Sequence, residues 1–145
     1  MLRLKSFSEY ETILLGADMA QRLKPGDVVA CYGDLGSGKT SFIRGICQGL
    51  GVLEHVASPT FVLLREYHAK ELNVYHFDLY RVRSADELLQ IGFDEYVLSE
   101  GISLIEWADH ASELLPLTRY DVHLLFGDGN DVREIEIVRL QGAEA

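Results

Sequence analysis

Val28-Val29-Ala30-Cys31-Tyr32-Gly33-Asp34-Leu35-Gly36-Ser37-Gly38-Lys39-Thr40 is the stretch whose reading decides the fold. Residues 28–31 form a short apolar run bounded by Gly26 and Gly33. Such a run reads as a strand buried on both faces. Residues 33–40 then fit GxxxxGK[ST], and each fixed position has a physical reason. Glycine lets the backbone adopt positive φ and turn its N–H groups toward phosphate oxygens. A helix opening near Lys39 adds the positive end of its dipole. Lys39 then neutralises the β and γ phosphates, and the Thr40 hydroxyl binds the metal. We therefore read a phosphate-binding loop, with ATP as substrate and Mg2+ as the accompanying cation. The plainer alternative is a glycine-rich strand–helix turn with an ordinary lysine at the helix start.

Outward from this unit, helices and strands alternate. Ser8 and Glu11 have capping-box spacing. Ile13, Ala17 and Ala20 then recur at helical spacing up to Leu23, and Pro25-Gly26 stops this first helix. Phe42, Ile43, Ile46 and Leu50 share one face of a second helix, which Gly51 ends. Residues 61–67 and 72–80 read as strands joined by His68-Ala69-Lys70-Glu71, a link short enough for an antiparallel hairpin. Ser84 and Glu87 repeat the capping spacing and open a helix through Ile91. Residues 101–105 form another apolar strand, ending at Glu106. After a polar helical stretch and Pro116, residues 120–126 and 134–140 read as a final hairpin around Gly127-Asp128-Gly129-Asn130. The expected fold is α/β, a P-loop NTPase-like mixed sheet flanked by helices.

Bulk properties bound the function. The chain has 145 residues, 48% of them hydrophobic, which suits one domain spanning 1–145. Lys and Arg total 13 against 23 Asp and Glu, a formal net charge of -10. Gripping a nucleic-acid backbone takes clustered cations, so direct tRNA or DNA binding is not the expected main mode. Acidity fits solubility or a basic partner. No apolar run reaches the ~20 residues of a membrane helix, and Arg3 and Lys5 are followed by no signal-peptide core. Cys31 and Cys47 form no CxxC motif and read as reduced, buried thiols. The expected location is cytoplasmic.

A phosphate loop needs a carboxylate to hold magnesium, usually at the end of an apolar strand. Glu106 follows Ile102-Ser103-Leu104-Ile105, and Asp78 follows Val74-Tyr75-His76-Phe77. By strand parity, Tyr75, Phe77 and Leu79 face the core. Val74, His76, Asp78 and Tyr80 lie on a more polar face that could border a site. We assign Glu106 to magnesium, directly or through water, and Asp78 to positioning or activating the attacking water. The alternatives are an ion pair of Asp78 with Arg81 or Arg83, and a helix-capping role for Glu106. Ser58-Pro59-Thr60 falls where phosphate-loop proteins keep a γ-phosphate switch, and the Thr60 hydroxyl could join the metal shell. His76 reads as a structural histidine. Trp107 either covers the nucleotide or belongs to the core. His110 and His123 have no partner pattern.

Together, five segments resemble one family, the bacterial ATPase of tRNA threonylcarbamoyladenosine biosynthesis (TsaE, formerly YjeE). They are Gly33 through Thr40, Ser58-Pro59-Thr60-Phe61, His76-Phe77-Asp78-Leu79-Tyr80-Arg81, Ile91-Gly92-Phe93-Asp94-Glu95-Tyr96 and Glu106-Trp107. Ser37 stands where the family often has alanine. The last forty or so residues match only loosely. The resemblance implies slow ATP hydrolysis by the chain alone. It implies action on a complex of the threonylcarbamoyl transferase TsaD and its inactive paralogue TsaB, which modifies the adenosine beside the anticodon. Contact with tRNA would be only indirect, through that complex. It also implies magnesium at Thr40 and Glu106 and a catalytic or switch role for Asp78 beside Lys39. The implied nucleotide-binding set is Gly33, Asp34, Leu35, Gly36, Ser37, Gly38, Lys39, Thr40, Ser41, Thr60 and Trp107, with Thr12 and Arg133 near the base.

Three rival classes remain. A small-molecule kinase would use the same loop but needs an acceptor pocket and a water-excluding lid, for which Arg81 and Arg83 are the available arginines. A GTPase lacks support, since there is no Asn-Lys-x-Asp. A nucleotide-holding switch without turnover would not need the intact set Lys39, Thr40, Asp78 and Glu106.

Overall fold

A computed structural model describes residues 1–56 and 63–142. Its elements are β1 (Leu2–Ser6), α1 (Glu9–Ala20), β2 (Val28–Tyr32), α2 (Lys39–Leu50), β3 (Leu64–Ala69), β4 (Leu72–Asp78), α3 (Ala85–Gln90), α4 (Phe93–Val97), β5 (Ile102–Glu106), a 3-10 turn (Ala108–Ala111), β6 (Arg119–Phe126) and β7 (Arg133–Leu140). The strands form one seven-stranded sheet in the order β1-β7-β6-β2-β5-β4-β3. β2 lies parallel between β5 and β6, and β4 runs parallel to β5. β3, β7 and β1 pair antiparallel at the two margins. This is the P-loop NTPase-like mixed sheet expected from the sequence.

The register explains why the central strands read as continuous apolar runs. Val29, Cys31, Leu104, Val122 and Leu124 face Phe42, Ile43 and Ile46 of α2 in one core cluster. Val28, Ala30, Ile105, Tyr75 and Phe77 face Leu88, Phe93, Val97 and Ala108 in a second. A strand covered on both sides has no polar face to expose. The first cover is unusually close. A Cβ on Gly45 would lie 1.9 Å from the Ile13 carbonyl oxygen, and one on Gly49 would lie 2.7 Å from that of Ala17. Glycine at these points lets the α1 and α2 backbones touch.

Local chemistry sets the helix ends. The Ser8 hydroxyl accepts from the Glu11 N–H at 3.1 Å, and the Glu11 carboxylate accepts from the Phe7 N–H at 3.0 Å. The capping box therefore forms with its return bond one residue earlier than the usual pattern. At Ser84 the hydroxyl makes no cap bond, and the Glu87 carboxylate takes the Arg83 N–H instead.

Several sequence expectations shift. The first helix ends at Ala20 rather than running to Leu23, and its buried side is Thr12, Gly16, Met19 and Ala20. The β3–β4 link is tighter than read, because strand pairing continues through Ala69 opposite Leu72. Lys70 turns the chain with φ 57°. The helix expected to reach Ile91 stops at Gln90, and α4 follows it behind a left-handed Gly92. β1 was not anticipated. Leu2 and Leu4 alternate with Arg3 and Lys5, but five residues gain strand identity only by pairing with β7. The polar face expected on β4 is also corrected, since Val74 and His76 are fully buried and only Asp78 and Tyr80 reach the surface. Cys31 and Cys47 are free and buried, and burial pushes the Cys47 thiol up to about 12.

Candidate phosphate-loop site

The site lies where β2, β5 and β4 end side by side. Asp78, Glu106 and Cys31 are register partners on adjacent parallel strands, so their side chains leave the sheet on the same face. Ligands of open α/β sheets bind at such carboxyl edges. The chain leaves β2 into Gly33 through Gly38, and α2 begins at Lys39 with Gly38 as a left-handed cap at φ 103°. Only glycine takes that backbone without strain. Gly33 is needed for space as well, because a Cβ there would lie 2.6 Å from the Leu124 carbonyl oxygen.

Lys39 is only 5% exposed. Its ammonium donates to the Gly33 carbonyl, and to the Asp34 carbonyl at 3.0 Å. The Trp107 ring lies over it, 3.9 Å from Nζ to the ring centroid. Burial lowers the Lys39 pKa from the ordinary lysine value, and the Glu106 carboxylate opposes that pull. Trp107 holds a left-handed backbone at φ 58°, a conformation rare for a bulky residue. Tyr80 packs on the same indole at 4.9 Å. Trp107 is thus a cover on the loop lysine and also borders the second core cluster.

Glu106 is 3% exposed, and both of its carboxylate oxygens are engaged. The Thr40 hydroxyl donates to Oε1 at 2.8 Å. His76 Nε2 stands 2.6 Å from Oε2. Two oxygens held by one magnesium ion at about 2.1 Å lie about 3 Å apart when adjacent. Thr40 and Glu106 bring side by side, at an ordinary hydrogen-bond distance, two oxygens of the hard kind that magnesium takes. Among the described residues no group of three or more His, Cys, Asp or Glu comes together. Beneath this pair Cys31 stays a neutral thiol, its pKa raised by burial first and by Glu106 second.

Asp78 is partly buried, and its carboxylate accepts from the Tyr80 N–H at 3.1 Å. Thr12, almost fully buried, shares a 2.7 Å hydrogen bond with the Ser6 hydroxyl and packs its methyl group near Gly38. Arg133 reaches the loop from β7, donating to the Gly36 carbonyl at 3.2 Å and stacking 4.7 Å over Phe126. Leu35 stands exposed on the loop, whereas Ser37 is buried beneath it. Ser41 points toward α1, where its hydroxyl lies 3.4 Å from a Glu9 oxygen. Thr60, with Ser58, Pro59 and Phe61, lies outside the described residues. The structure thus gathers Thr12, the loop, Lys39, Thr40, Asp78, Glu106, Trp107 and Arg133 at one edge, with Ser41 turned to one side. The sequence reading did not connect His76 to Glu106. Their diagonal relation across β4 and β5 required the strand order.

Comparison with known proteins points one way. Residues 6–135 match the model of the family described as threonylcarbamoyl adenosine biosynthesis protein TsaE. The tRNA threonylcarbamoyladenosine biosynthesis protein TsaE of Bacillus subtilis is 40% identical over 92% of this chain and 83% of its own length. The protein of the same name from Treponema pallidum is 38% identical over 94% of this chain and 99% of its own. Among solved structures, Bacillus subtilis YdiB superposes with a TM-score of 0.82 and 35% identity, over 97% of this chain and 86% of that one.

Proposed function

This chain belongs to the TsaE family of threonylcarbamoyl adenosine biosynthesis proteins, and from that premise we propose that it is a magnesium-dependent ATPase serving tRNA threonylcarbamoylation. The observation that carries this reading is the Thr40–Glu106 hydrogen bond beside a buried Lys39. Magnesium, when bound, supplies charge neutralisation across the β and γ phosphates. Thr40 and Glu106 would hold it through the oxygens now hydrogen-bonded to each other.

The remaining work falls to the chain's own groups. Backbone N–H groups of residues 33–40 cradle phosphate oxygens at the α2 N-terminus. The Lys39 ammonium exchanges the Gly33 and Asp34 carbonyls for phosphate oxygens, so its charge is presented without a large movement of the stem. Trp107 limits water around that ammonium from above, which strengthens its field. Asp78 holds a carboxylate one strand away from Glu106 and accepts a proton from, or orients, the attacking water. Thr12 and Arg133 flank the loop on the side expected for the base. In this reading the chain works on the transferase TsaD and its paralogue TsaB, meets tRNA only through them, and resides in the cytoplasm. Among the described residues no helix is long and apolar enough to cross a membrane.

Steady-state ATP hydrolysis, alone and with the transferase pair, tests the proposal. Slow turnover that rises with the pair and falls by about 10^3 in Lys39→Ala is the expected result. Asp78→Ala should keep ATP binding within about threefold while turnover falls by about 10^2 or more. Turnover indifferent to the pair removes the partner role. Transfer of phosphate to a small acceptor would instead make the chain a kinase.

A further inference from the structure

Glu106 is held from two sides, and only one holder belongs to the phosphate loop. Thr40 takes Oε1, and His76 takes Oε2 at 2.6 Å. A carboxylate only accepts hydrogen bonds, so the proton in this contact sits on His76 Nε2. The other ring nitrogen, Nδ1, is buried with no hydrogen-bond partner among the described residues. His76 is itself 0% exposed, on β4 two residues before Asp78. An imidazole used only to fill a core is replaceable by an apolar ring, and its burial without a second partner is costly. Here the one bond it makes goes to the residue that faces the cation site.

Resting on the ATPase reading above, we propose that His76 is a positioning residue for magnesium: its Nε2–H fixes the Glu106 carboxylate in the orientation that presents Oε1 beside Thr40. His76 touches neither nucleotide nor cation. It limits rotation of the carboxylate, so the oxygen geometry exists before the ligand arrives. Groups that orient a metal ligand in this way typically change metal affinity 10–100-fold when removed.

Two substitutions separate positioning from packing. His76→Phe keeps the ring volume and removes the donor. His76→Gln returns an N–H at nearly the same reach. Trp107 is the single tryptophan and lies against Lys39, so its fluorescence reports nucleotide binding. We expect the magnesium concentration for half-maximal ATP-analogue binding to rise at least tenfold in His76→Phe. It should return to within about threefold of the native value in His76→Gln, with metal-free nucleotide affinity unchanged within about twofold in both. Native-like magnesium dependence in His76→Phe, or equal loss in both variants, overturns the inference. If the native chain binds nucleotide with no magnesium dependence, the ATPase reading falls first, and this proposal with it. Should His76→Phe fail to fold, imidazole nitrogen NMR of the native chain decides. Protonation at Nε2 with a shift on adding magnesium and ATP analogue supports the role, and an unresponsive ring overturns it.

Discussion

The two faces of the sheet are covered in different ways. One carries two twelve-residue helices, α1 and α2, brought into backbone contact by Gly16, Gly45 and Gly49. The other carries α3 of six residues, α4 of five and a four-residue 3-10 turn, joined by aromatic packing such as Phe77 on Phe93 at 5.0 Å. The phosphate loop, Lys39 and Thr40 belong to the first cover, and Glu106 points to the same side. Where backbones touch, an added methyl meets fixed main chain, whereas a contact made by side chains can be partly refilled by its neighbours. The Thr40–Glu106 pair therefore sits on the face where the helix backbones pack closest. Trp107, which borders the second core cluster, reaches Lys39 from the other face.

This contrast can be broken or sharpened by substitution. The largest effect is expected at Gly45→Ala, where the added methyl would overlap the Ile13 carbonyl. Stability should fall by about 3 kcal/mol in denaturant titration, toward the upper end for overpacking. A loss below that of Phe93→Leu would break the comparison. Next, Glu106→Ala should weaken magnesium in nucleotide binding by about 10–100-fold, read by Trp107 fluorescence. Asp78→Ala, one strand over, should leave that value within about threefold, and the reverse order would exchange their roles. Phe93→Leu on the patchwork face should cost about 1.5 kcal/mol, because neighbouring side chains can partly refill the space. Its nucleotide affinity should stay native within about twofold by the same fluorescence titration. The smallest effect is expected at Ser8→Ala, which removes the α1 cap and should cost about 1 kcal/mol by thermal unfolding.

Legibility in the sequence followed locality. The β2–loop–α2 unit could be read because a buried strand, a fixed glycine pattern and an apolar helix face all lie within 23 consecutive residues, Val28 to Leu50. The N-cap of α1 and the β6–β7 hairpin were legible for the same reason. β1 was missed because its pairing partner, β7, begins more than a hundred residues later. The break between α3 and α4 was missed because Gly92 acts through a left-handed backbone, which composition alone does not reveal.

The sequence by itself determined that Gly33 through Gly38 would turn between a buried strand and a helix opening at Lys39, and that Glu106 would end a buried strand. These follow from glycine's conformational freedom and from apolar runs needing cover on both sides. Only the tertiary structure decided that Glu106 meets Thr40 and His76, that Asp78 lies one strand away, and that Arg133 touches Gly36. Those relations join residues 28 to 97 positions apart. They exist because β2, β5 and β4 are neighbours in the sheet and β7 returns beside β6, an order set by long-range strand pairing and not by any local pattern.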